Sequence, residues 1–218
     1  MIVQYGETDG IENMRRDAEL LALAEQGQLG CRVYGWDGPW VSLGRFQSPE
    51  RDLVVPDAIR WVRRPTGGKA VLHGHDVTVG LAVPLSLLED VDHRSIRGIY
   101  RAVVQPIVDA LEICGVPAAL AENTQCSRKG RHTADCFAYS SPNDIIEQRT
   151  GRKVCGCALR LTQRAVLVQA SIPNGDPLVD PTKFIANAQR YTAFEWDSRS
   201  FCGALDAGLC KMVPVSVA

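Results

Sequence analysis

The sequence predicts an α+β fold, a mixed β-sheet flanked by helices. Short runs rich in Val, Ile, Tyr and Trp cluster along the chain, and helical periodicities flank them without regular βαβ alternation. With 218 residues, 45% of them apolar, the chain can bury one core without covalent staples. The expectation is a single domain over residues 1–218.

The elements follow in order. "ENMRRDAELLALAEQG" (12–27) sets Met14, Ala18, Leu21 and Ala22 at roughly helical spacing, with Gly27 placed to end the run. "CRVYGW" (31–36), "WVSLG" (40–44) and "IRWVRR" (59–64) read as strands between polar or Asp-Gly-Pro loops. After Arg63-Arg64, Pro65-Thr66-Gly67-Gly68 makes a turn, followed by extended pieces at Lys69–His73 and Asp76–Val83. Ile96, Ile99, Tyr100, Val103, Ile107, Val108 and Leu111 mark the strongest helix, and Pro106 predicts a kink or a one-turn break. "PAALAE", "NDIIE", "RKVCGCALRL" and "RAVLVQASI" are further strands. "DPTKFIANAQRY" (180–191) predicts a short helix with Asp180 as N-cap and Pro181 at its first position.

Charge narrows the function classes. Lys and Arg total 24 against 25 Asp and Glu. Nucleic-acid and membrane-surface binders need a broad basic field, so neither partner is expected. The N-terminal residues carry no signal-like region, and a cytoplasmic protein is expected. The eight cysteines then read as reduced thiols. There is no C-x-x-C pair, and Cys155-Gly156-Cys157 is too tight for a zinc knuckle, so neither metal nor cofactor is expected.

Chemistry concentrates in two stretches. Gly67 and Gly68 let the backbone approach a ligand and point successive N–H groups at an anion or carbonyl oxygen. Arg63, Arg64 and Lys69 surround that turn, and three cations there repel one another unless something negative visits. His73 and His75 would emerge on one face of an extended segment, in hydrogen-bonding or structural roles. In the second stretch, strand alternation puts Lys153, Cys155 and Cys157 on one face, while small Gly156 and Ala158 leave room on the other. Arg128, Lys129 and Arg131 precede Cys136 and would lower its pKa toward thiolate, with Asp135 opposing them. Desolvation at Lys153 would lower its pKa, suiting it to accept a proton or to position an oxygen.

These motifs together resemble the lipoate–protein ligase, octanoyltransferase and biotin ligase superfamily. The resemblance rests on Arg63-Arg64-Pro65-Thr66-Gly67-Gly68-Lys69-Ala70-Val71-Leu72-His73 and Gly151-Arg152-Lys153-Val154, and runs from about residue 12 to 173. Lys69, where ligases often show a third glycine, and "DCFAYSSPNDI" are most similar to the cysteine-dependent octanoyltransferases. The resemblance implies a curved mixed sheet, Cys136 as nucleophile and Lys153 as its catalytic lysine. Around them it implies a binding site of Arg63, Arg64, Thr66, Gly67, Gly68, Lys69, His73, Gly156, Cys157 and Ala158.

The reaction so implied moves an octanoyl or lipoyl group from an acyl carrier protein to a lysine of a lipoyl-domain protein, such as glycine cleavage H protein or a dehydrogenase E2. It passes through a cysteine thioester. The strand Val77–Val83 would wall the acyl slot, and the cations would dock acidic partners. Two other readings stand beside it: an ATP-dependent lipoate ligase working through an acyl-adenylate, and a noncatalytic binder of acyl chains or lipoyl domains. The short stretch after residue 173 favours transferase over ligase. Gly156-Cys157-Ala158 stands where the family commonly has Gly-Ser-Ala, and Gln169-Ala170 where it commonly has His-Gly.

Overall fold

A computed structural model describes residues 2–123 and 133–212. Ten strands and four α-helices follow in chain order: β1 Ile2–Thr8, α1 Gly10–Ala24, β2 Gly30–Trp36, β3 Trp40–Leu43, α2 Pro49–Asp52, β4 Arg60–Arg63, β5 Val71–His73, β6 Asp76–Pro84, α3 Ile96–Ile113, β7 Ala118–Leu120, β8 Ile145–Glu147, β9 Lys153–Leu161, β10 Ala165–Pro173 and α4 Ser198–Cys210. Seven strands form one sheet in the order β1-β2-β6-β10-β9-β8-β7. Among the described residues, only β1 and β2 pair in parallel there. A second sheet, β4-β3-β5, covers part of one face.

Side-chain alternation divides the large sheet into two environments. Val166, Val168, Ala170 and Ile172 of β10, with Val79, Leu81 and Val83 of β6, pack against Ile99, Val103, Ile107 and Leu111 of α3. Phe201, Leu205 and Leu209 of α4 close the same core and are fully buried, each contributing roughly 1.5–3 kcal/mol. On the other face, Ala165, Leu167 and Ala82 meet Leu21 and Ala24 of α1. Beyond α1 that face turns polar, presenting Arg32, Tyr34, Asp76, Thr78, Gln169 and Ser171 as buried or nearly buried side chains.

Several expectations change. Helix α3 runs unbroken through Pro106, which is buried and packs where Gly208 of α4 leaves room. Helix α4 and strand β1 were not anticipated. "DPTKFIANAQRY" keeps its Asp180 cap, which accepts from the Thr182 N–H, but forms only one 3-10 turn at Pro181–Lys183. Tertiary pairing draws the rest away: Ile185 bridges Leu53, Val54 donates to the Phe184 carbonyl, and Asn187 takes φ 55°.

Candidate active site

The Pro-Thr-Gly-Gly turn is held from inside by Arg64. This side chain is 5% exposed and donates to the carbonyl oxygens of Ser42, Gly67 and Lys69 at 2.9, 2.7 and 2.6 Å. Burial lowers its pKa to about 10. The anticipated repulsion among three cations therefore does not arise, because carbonyl dipoles satisfy Arg64. Arg63 points away, donating to the Gln47 carbonyl. Lys69 is half-buried, and its pKa is lowered by burial. Gly68 takes φ +84°, and its carbonyl lies where a Gly44 side chain would be, 2.0 Å from an ideal Cβ. Thr66 is fully buried and donates to Gln169 Oε1 at 2.7 Å.

Residues 134–137 dock onto the end of this turn. Ala70 N–H donates to the Ala134 carbonyl and Cys136 N–H to the Ala70 carbonyl, both at 2.8 Å. The Asp135 carboxylate accepts the Phe137 N–H at 3.0 Å, which fixes the local bend. Cys136 thus sits beside β9, where an ideal Cβ on Gly156 would lie 2.8 Å from its Sγ. The missing side chain of Gly156 makes room for the thiol.

Lys153 reaches the same spot through a β-bulge. The register runs Ile145 to Cys155 but Ile146 to Lys153, so β9 carries one extra residue. Val154 and Cys155 both enter the α3 core, and Lys153 turns to the Gly156 face. Its Nζ lies 3.1 Å from Cys136 Sγ, 2.7 Å from the Cys136 carbonyl and 2.9 Å from Asp144 Oδ1. The bulge takes Lys153 off the expected common face, while Cys155 and Cys157 keep it with their sulfurs 3.5 Å apart. Cys155, fully buried in the core, is thereby separated from the site, and Cys157 packs against the same core while bordering the site along the strand.

The electrostatics also differ from expectation. Burial does oppose charge on Lys153, but Cys136 and Asp144 outweigh it and hold the ammonium well above its usual pKa. Burial raises the Cys136 thiol, while Lys153 and Arg64 pull it back and Asp144 pushes it up. Arg128, Lys129 and Arg131, expected to lower it, lie outside the described residues.

A slot opens from Cys136 across the polar face of the sheet, between Gly156, Ala158 and Gln169 below and Val71, Gly68 and His73 above, with Met14 and Trp36 farther in. Its free volume is about 30 Å³, room for one or two waters. The β6 residues that wall it include Thr78 rather than the valines, which face α3. His73 stacks on Trp36 at 3.9 Å and bonds Asp76 Oδ2 and Ser42 Oγ, each at 2.8 Å. Gly74 takes φ +108°, so His75 leaves the face of His73 and pairs with Tyr191 instead.

Sequence reasoning missed the groups behind the site. Asp17, fully buried on α1, accepts from Arg32 at 2.7 Å, Tyr34 at 2.8 Å and Gln169. Gln169 therefore ties the turn, through Thr66, to α1. The signal was present: an acid between Met14 and Leu21 on an apolar helix face must have a partner. Asp144 lay in two quoted stretches, "DCFAYSSPNDI" and "NDIIE", without being assigned a role.

The lipoyl protein ligase A/B catalytic domain matches residues 9–175. Octanoyltransferase LipM of Anoxybacillus flavithermus is 32% identical over 177 residues, 77% of this chain and 62% of that protein. Its counterpart from Moorella thermoacetica is 30% identical over 215 residues, 93% of this chain and 76% of that protein. The chain thus spans about three fifths of the length of the first of these relatives. A bipartite lipoate protein ligase of Thermoplasma acidophilum shares the fold at TM-score 0.66 and 19% identity, over 97% of this chain and 82% of that one.

Proposed function

The chain belongs to the lipoyl protein ligase A/B catalytic-domain family, and from that premise we propose that it is an octanoyltransferase acting in protein lipoylation through a thioester on Cys136. One observation carries the reading: a partly exposed thiol lies 3.1 Å from a buried ammonium, at the mouth of a slot, against a glycine that leaves it space. An acyl-adenylate ligase needs no thiol there. The curated relatives matched over most of the chain bear the name octanoyltransferase.

The donor is an acyl carrier protein bearing an octanoyl thioester. Cys136 sulfur attacks the thioester carbonyl, forming a new C–S bond, and the donor sulfur departs with the proton that left the Cys136 thiol. The exchange is one thioester for another, so little free energy is lost. Lys153 ammonium, beside Sγ, favours the thiolate and the developing oxyanion. Gly68, which lines the slot, and its neighbour Gly67 offer backbone N–H groups to the same oxyanion. The acyl chain enters the slot, which must widen around eight carbons. Met14, unbranched and flexible, is the wall residue suited to yield.

The second half reverses the roles. A neutral lysine amine of the lipoyl domain attacks the octanoyl-Cys136 carbonyl, the amide C–N bond forms, and the C–S bond breaks. The proton lost by the amine restores the Cys136 thiol. No nucleotide or metal enters this balance. Gly156, Ala158 and His73 line the site, Thr66 and Arg64 hold the turn beside it, and Arg63 points away from it.

Intact-protein mass spectrometry after mixing with octanoyl-carrier protein, without ATP, tests this. Wild type gains one octanoyl mass and Cys136→Ser gains none. If neither gains mass, but lipoate with ATP gives an adenylate, the transferase reading is wrong.

A further inference from the structure

A second depression meets the slot at the Cys136–Lys153 pair. It is a wide groove of about 980 Å³, at the upper end of small-molecule sites, and Lys153 and Phe137 form its inner end. Its described lining includes four cations, Arg149, Arg152, Lys153 and Arg190, and no acid. Arg190 is matched by Asp180 and Lys153 by Asp144, which leaves Arg149 and Arg152 to set the sign of the groove. Glu147, the acid nearest in sequence, is turned into its own loop, accepting from the N–H groups of Arg149 and Thr150 at 3.0 and 2.8 Å.

We propose that this groove holds the phosphopantetheine arm of the acyl donor, with Arg149 and Arg152 at its phosphate. The proposal rests on the transferase reading above. A donor thioester has two unlike ends that must pass on either side of the reacting carbonyl, one apolar and one polar and anionic. Two unlike cavities meet at the sulfur that attacks it. The slot takes the apolar tail; the groove, lined also by Ser140, Gln148 and Thr150, offers hydrogen-bond partners for the amides of the arm and positive charge for its phosphate. An incoming acceptor lysine is cationic until it loses its proton, and two arginines disfavour it along this path.

The test compares octanoyl-4′-phosphopantetheine with octanoyl-pantetheine, which differ by one phosphate, as donors for acylation of Cys136 read by quenched-flow mass spectrometry. Wild type should acylate faster from the phosphorylated donor at low concentration, by about tenfold. Arg149→Ala/Arg152→Ala should erase that preference, and Arg152→Lys, which keeps the charge, should retain most of it. Equal use of both donors by wild type, or an unchanged preference in the double variant, overturns the groove assignment while leaving the transferase reading intact. So does a variant whose only defect is transfer from preformed octanoyl-Cys136 to a lipoyl domain. If neither donor acylates wild type, the transferase reading itself falls and takes the assignment with it.

Discussion

Lys153 Nζ lies 3.1 Å from Cys136 Sγ, the lysine side chain buried and Cys136 half-buried. Burial sets the thiol above its ordinary 9.0 and the ammonium tempers that rise. Thiolate therefore increases with pH through and beyond that value. The alkylation rate of Cys136 by iodoacetamide should keep climbing past pH 9 without a plateau at neutrality. Lys153→Met removes the stabilising cation and should move the profile further alkaline. Asp144→Asn removes an anion that opposes the thiolate and should move it the other way. Identical profiles for both variants would show that neither group senses the sulfur.

The room for that sulfur comes from Gly156. A Cβ there would lie 2.8 Å from Sγ, closer than real contacts allow, and 3.4 Å from Lys153 Cε. The neighbouring strands fix the β9 backbone, so the thiol must give way. Gly156→Ala should cut acyl transfer by about a hundredfold, as expected for a reacting atom displaced by roughly 1 Å. Thermal stability should change little, which differential scanning calorimetry would check.

Much of the fold was legible because β-branched runs and helical spacing report burial directly. "RAVLVQASI" became β10, and Ile99, Val103, Ile107 and Leu111 became the buried stripe of α3. Helix α4 was missed: Phe201, Leu205 and Leu209 recur four apart, but Gly203 and Gly208 obscure the pattern. The turn, Cys136, Lys153 and Gly156 were brought together as expected. Their geometry was not, because the bulge at Val154 reverses strand phase, and no local propensity announces one extra residue in a ladder. Arg63 and Arg64 are adjacent and identical in chemistry, yet one is buried under the turn and one faces outward. Strand alternation separates them, and only the packing of β3 against the turn decides which points inward.

The second polar centre behind the slot makes a prediction about stability rather than turnover. Asp76, 7% exposed, accepts from His73 Nδ1 at 2.8 Å, Ser171 Oγ at 2.6 Å and Thr78 Oγ1 at 3.0 Å. Burial opposes its charge, but His73, with His75 and Ser171, prevails and holds its pKa at about 2. An unfolded aspartate titrates near ~3.9. Because the folded value is the lower one, the carboxylate contributes stability that is present above about pH 4 and lost as pH falls through about 2. Asp76→Asn should therefore destabilise the protein by about 3 kcal/mol at pH 7, since its amide turns a donor toward groups that are already donors. Urea unfolding of both proteins at pH 7 and again near pH 3 measures the gap. It should narrow at the lower pH; a gap that holds constant would mean the carboxylate is not charged in the native state.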